Sequence, residues 1–160
     1  MWLVQAWIIN KSLTTGFKEA WKDTINSFSK LSFYCKVKGD FKASSYLSSV
    51  TDFKARQAVT RLLTSSHKLA IERGRYTNTP RDDRSCTDCL HNGQKEIEDE
   101  SHFLFGCPSY VAERNKMATD LRKHGEDLPL FPEDLSSLLD SEIPSRIMAH
   151  FVLSSSNIHS

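Results

Sequence analysis

Three of the four cysteines fall within one 22-residue window, in the order Cys86-x2-Cys89-x12-His102-x4-Cys107, and no other feature constrains the fold as strongly. Two cysteines separated by two residues can grip one cation from a single tight turn, and a second pair returning after about a dozen residues completes a tetrahedron. Thiolates with one imidazole are the donors that zinc takes in closed, four-coordinate structural sites. The spacing therefore predicts a structural Zn2+ site with Cys86, Cys89, His102 and Cys107 as metal ligands. His91, two residues after Cys89, is the competing nitrogen and is poorly placed for the returning arm. Zinc in such small units contributes about 10–16 kcal/mol of apparent binding free energy, more than a loop this short gains by burial. The bland alternative, four ordinary core residues, does not account for the paired spacing.

Cysteine usage also bears on compartment. The apolar opening, residues 1–9, lacks a preceding basic region. It is also far shorter than the roughly 20 residues that span a bilayer, so neither a secretory signal nor a membrane partner is expected. Thiols grouped in such a chain favour metal over disulfides and an intracellular setting, nuclear or cytoplasmic. Cys35 stands apart and reads as a small buried hydrophobe.

A chain of 160 residues is of single-domain size, and its apolar fraction of 39% is that of an ordinary globular protein. The net charge of +1 conceals a division. Residues 1–84 carry 15 Lys+Arg against 7 Asp+Glu, whereas residues 85–160 carry 6 against 13. Such a layout suits a first half that faces phosphates, and it equally suits two halves neutralising one another across the fold.

Apolar periodicity predicts a mainly α protein, a small helical domain with an inserted zinc-finger-like unit. Phe17, Ala20, Trp21, Ile25, Phe28 and Leu31 share one face of a helix over residues 15–31. Alternation of Leu31, Phe33, Cys35 and Val37 with polar neighbours gives a weak strand signal, and residues 44–50 a short helical turn. From an N-cap at Asp52, the stripe Ala55, Ala58, Val59, Leu62, Leu63, Leu69 and Ala70 predicts an amphipathic, basic helix that ends at Gly74, with Ser65-Ser66 as a candidate break. Residues 75–84 read as a loop. Residues 98–101 read as the solvated, acidic start of a short helix that holds His102. Later helices are expected over 110–124, with Val111, Met117 and Leu121 inward and Gly125 as stop, from Pro132 through Leu139, and from about Pro144. One compact domain would thus comprise an N-terminal helical segment packed on the core (1–50), a basic helix and loop (51–84), the zinc unit (85–110), C-terminal helices (111–153) and a frayed tail (154–160).

Arg56-Gln57-Ala58, the run from His67 to Tyr76, Arg84 ahead of Cys86-x2-Cys89, and Glu98-Asp99-Glu100-x-His102-Phe103 through Cys107-Pro108 together resemble a known pattern. It is that of the C-terminal region of non-LTR (LINE-like) retrotransposon reverse transcriptase polyproteins, and the resemblance covers about residues 50–115. It implies a helix-rich segment downstream of a parent reverse transcriptase domain, closing on a Cys-Cys-His-Cys zinc motif. The role implied is gripping template RNA or target DNA during target-primed reverse transcription.

No aromatic-Ala-Asp-Asp run for polymerase metals is present, and Asp82-Asp83 lies between basic residues in a predicted loop, so no enzyme activity is expected. The expected nucleic-acid contacts are Arg56, Arg61, Lys68, Arg73, Arg75, Arg81 and Arg84, with His67 and Tyr76 able to stack on unpaired bases. The competing expectation is a zinc-stapled structural or protein-interaction module, or the remnant of a truncated element.

Overall fold

The computed structural model describes the backbone of residues 2–156 and the side chains of residues 11–156. It is mainly α: the described residues form nine α-helices with short 3-10 turns and one π-type turn, and their one β pairing is an isolated antiparallel bridge between Ser85 and Ile97. The helices are α1 (Trp2–Ser27), α2 (Ser32–Val37), α3 (Tyr46–Ser49), α4 (Phe53–Leu63), α5 (Ala70–Tyr76), α6 (Thr87–His91), α7 (Val111–Arg122), α8 (Leu135–Asp140) and α9 (Glu142–Ser156). Among the described residues no helix is long and apolar enough to cross a membrane.

Helix α9 is the hub and packs against α3, α4, α7 and α8. Pro144 is accommodated because it lies in the first turn, where its missing N–H has no intrahelical acceptor. Met148, Ala149, Phe151 and Val152 then bury a broad stripe. Facing it, α4 starts where Asp52 Oδ1 accepts the N–H groups of Lys54 (2.8 Å) and Ala55 (3.1 Å), and it buries Ala55, Val59, Leu62 and Leu63. Helix α7 ends as expected at Gly125, whose φ of +75° is open to glycine at little steric cost.

Several expectations are corrected. Residues 32–37 form helix α2 rather than a strand. Phe33 and Val37, four residues apart, are its buried pair, and a segment this short satisfies the helical period as readily as the alternating one. The basic helix does not run on to Gly74. It stops at Leu63, Ser65 takes a φ of +47° while the Ser66 N–H returns to the Arg61 carbonyl (2.7 Å), and α5 starts afresh with Gly74 inside it. Val111 is exposed, because Tyr110 from the preceding turn fills the inward position. Glu98 and Glu100 are buried rather than solvated. Ser154–156 continue α9, with Ser155 fully buried, and residues 157–160 of the expected tail lie outside the described residues. Within the N-terminal segment, Phe33, Val37, Tyr46 and Val50 join the core, while every side chain from 11 to 20 is exposed and α1 engages the body through its last turns, where Ile25 is buried.

Candidate metal centre

Each of the four predicted ligands owes its position to a local backbone device. Cys86 is the N-cap residue of α6, and its N–H donates to the Glu96 carbonyl (2.8 Å) beside the Ser85–Ile97 bridge. One turn on, Cys89 points to the same side, and its carbonyl accepts the N–H groups of Asn92 (3.0 Å) and Gln94 (2.9 Å) as the chain reverses through Gly93. The φ of +76° at Gly93 is what allows so tight a reversal. The returning arm is a single π-type turn, His102–Gly106. It is capped by Asp99, whose Oδ1 accepts the His102 N–H (2.9 Å), and it closes where the Cys107 N–H donates to the His102 carbonyl (2.7 Å). That five-residue ring gives the x4 spacing its physical reason: the last two ligands are the two ends of one wide hydrogen bond.

The ligand atoms of Cys86, Cys89, His102 and Cys107 all lie within 4.8 Å of one another. The Cys86 and Cys107 sulfurs are 3.8 Å apart, far beyond a disulfide bond of about 2.05 Å. Cys89 Sγ lies 3.3 Å from His102 Nε2. Zinc–sulfur bonds of about 2.3 Å and a zinc–nitrogen bond of about 2.0 Å give tetrahedral edges of about 3.8 Å and about 3.5 Å. The donor set therefore has the size of one four-coordinate cation. The three cysteines are buried and the histidine half-buried, whereas His91 is exposed and outside the group. Burial pushes the Cys86 thiol up, and burial reinforced by the neighbouring Cys86 and Cys107 pushes the Cys89 thiol up to about 12. A cation at the centre reverses this, since a coordinated thiol is deprotonated outright. The cluster could hold a metal ion.

Compared with known protein families, with curated proteins and with solved structures, the chain finds no match.

Three buried acids stitch the metal unit and the N-terminal segment to the α4–α5 hairpin. Glu98 accepts the Ala70 N–H on Oε2 (2.6 Å) and the Ile71 N–H on its carbonyl (3.0 Å), capping α5 from 28 residues downstream. Glu100 Oε1 accepts the Ser65 hydroxyl (2.6 Å) and pairs with His67 Nε2 (3.0 Å). Burial opposes the Glu100 charge, but the hydrogen bonds from His67 and Ser65 outweigh it and hold the carboxyl below its usual range. Glu72 is flanked by Arg75 (3.1 Å) and Lys30 (3.8 Å).

The nine expected nucleic-acid contacts divide into two groups. Arg61, Lys68, Arg73, Tyr76 and Arg81 are exposed. Arg73 and Arg81 remain more than half exposed while reaching Glu98 (3.7 Å) and Asp99 (3.4 Å) at the edge of the metal unit. The other four are tied inward. Arg56 donates to the Val50 carbonyl (2.7 Å), and His67 is held by Glu100. Arg75 bonds Ser29 through its hydroxyl (3.0 Å) and carbonyl (3.1 Å). Arg84 crosses Gly74 to reach the carbonyls of Thr79 (2.9 Å) and Ile71 (2.8 Å). Sequence reasoning missed Arg114, which is buried in α7 and donates to the Cys107 carbonyl. Its place three residues before Met117 and seven before Leu121, on the inward stripe, was the available signal.

Proposed function

We propose that the chain is a non-catalytic zinc-binding module that grips RNA or DNA, corresponding to the C-terminal region of a non-LTR retrotransposon reverse transcriptase polyprotein. Zinc is favoured by the donor set: three thiolates and an imidazole at tetrahedral spacing, buried, with four protein ligands and hence no position left open for a reacting water. A non-catalytic role is supported by the acids beside the site, because Glu98 and Glu100 each commit a carboxylate oxygen to protein donors. The observation that carries the nucleic-acid reading is the connection between cations and metal unit. Exposed Arg73 and Arg81 rest against Glu98 and Asp99, with Lys68 and Tyr76 on the same hairpin, so the metal would fix the spacing of phosphate-binding and base-stacking groups. The compartment that fits is intracellular, where thiols stay reduced.

Metal analysis followed by binding to single-stranded RNA and to duplex DNA across a salt series tests this reading. Affinity should fall with salt at a log–log slope of about 0.7–0.9 per phosphate neutralised. Combining Arg61→Ala, Lys68→Ala and Arg73→Ala should flatten that slope while leaving stability nearly unchanged, since these side chains are exposed. No binding at low salt, or a response indifferent to salt, would overturn it. One feature favours a second reading, a protein-interaction module stapled by zinc: Leu13 and Phe17 on α1 are 57% and 65% exposed.

A further inference from the structure

Arg114 is 8% exposed, and a guanidinium cannot escape burial by losing its proton. Its Nη2 donates to the carbonyl of Cys107, seven residues earlier, while Nη1 is buried without a hydrogen-bond partner. None of the ion pairs among the described residues includes it. Burial works against its charge, and Cys107 and, more weakly, the adjacent Glu113 favour it, but Glu113 Oε2 is itself buried without a hydrogen-bond partner. A buried cation left in this state is strongly unfavourable, so a compensating negative charge is required close by. The four-ligand centre supplies one. Three thiolates and a neutral imidazole around a divalent cation sum to a charge of −1, and one of those ligands is the residue whose carbonyl Arg114 already holds.

We infer that Arg114 is the counter-charge and positioning residue of the metal centre, pinning the Cys107 arm through its carbonyl and stabilising the anionic tris-thiolate state with its positive charge. The inference rests on the reading that the cluster holds a divalent metal. It accounts for a cation in the middle of an otherwise apolar helix face, where α7 buries Met117, Ala118 and Leu121. A methionine would pack there without stranding a donor. Partners of this kind, one bond removed from a ligand, typically change metal affinity by about 10–100-fold when removed.

The test compares the wild-type 160-residue chain with Arg114→Gln and Arg114→Lys, each titrated with cobalt(II) and zinc(II) against a competing chelator. The rate at which iodoacetamide alkylates the metal-loaded thiolates is measured alongside. Gln keeps a donor for the Cys107 carbonyl but carries no charge, so it should weaken cobalt binding at least about tenfold and expose the thiolates to faster alkylation. Lys keeps the charge and should remain within about threefold of wild type. Equal affinity of Arg114→Gln and wild type would overturn the inference, as would a Lys variant as weak as the Gln variant, since shape rather than charge would then be what matters. Should Arg114→Gln fail to fold, Arg114→Lys decides alone, with retained affinity supporting the inference and lost affinity overturning it. A wild type that binds neither metal would remove the zinc reading and this inference together, whereas a metal-binding wild type matched by Arg114→Gln removes this inference only.

Discussion

Replacing a helical glycine by alanine ordinarily stabilises a protein, by about 1 kcal/mol, because glycine loses more backbone freedom on folding. Gly74→Ala should do the opposite. A Cβ at position 74 would come within 2.6 Å of Arg84 Cγ, with Cδ and Nε closer still, so the stem of the arginine must move. Moving it breaks the bonds from Arg84 to the carbonyls of Thr79 and Ile71. Hydrogen bonds from a charged donor contribute about 1.5–3 kcal/mol each, so losing two outweighs the helix gain and leaves a net destabilisation of about 2–5 kcal/mol. For a chain of this size that lowers the Tm by about 4 °C or more. Urea unfolding at saturating metal, followed by far-ultraviolet circular dichroism, measures the change. Repeating it in an Arg84→Ala background isolates the cause, because the alanine at 74 should there become neutral or stabilising. A Gly74→Ala protein as stable as wild type, or one equally damaged in both backgrounds, would refute the reasoning.

Other outcomes follow from the same geometry. Cys89→Ser or Cys107→Ser should abolish stoichiometric metal and unfold at least residues 84–110, checked by metal analysis and circular dichroism; a native-like melt without metal would contradict this. Leu121→Ala, at a fully buried position of α7, should cost about 2–5 kcal/mol by denaturant titration. Asp40 is held below its usual range chiefly by the ammonium of buried Lys38, an ion pair at 2.6 Å. Its contribution is therefore complete above the unfolded carboxylate value and lost as pH falls through the lower folded value, so the stability difference between wild type and Asp40→Asn should shrink on acidification.

The metal cluster was readable because its information is local: two short spacings and a loop length. The same holds for the cap at Asp52, the stripe of α4 and the stop at Gly125, each resolved within one or two turns of chain. What escaped is tertiary. Gly74 looks like a helix terminator until Arg84, ten residues on, is seen lying across it. Glu98 and Glu100 look solvated until the amide of Ala70 and the side chains of Ser65 and His67 arrive to bury them. The basic residues of 56–84 were uniform to inspection, and only the location of free carbonyls and buried acids separates the exposed cations from the structural ones. The break itself was signalled by Ser65-Ser66; its geometry was not, because a serine there occupies a backbone conformation usually marked by glycine and spends its hydroxyl on Glu100.

The capping of α5 by Glu98 bears on how portable the metal unit is. Free-standing zinc fingers can be excised, shuffled and strung in series because their polar groups are satisfied from within. Cutting residues 84–110 out of this chain would strand the Glu98 carbonyl and carboxylate, leave Glu100 without Ser65 and His67, and release Arg84 from the carbonyls it grips. The heritable building block is the hairpin and the ion-binding loop together, and recombination that separated them would yield two pieces neither of which keeps its shape.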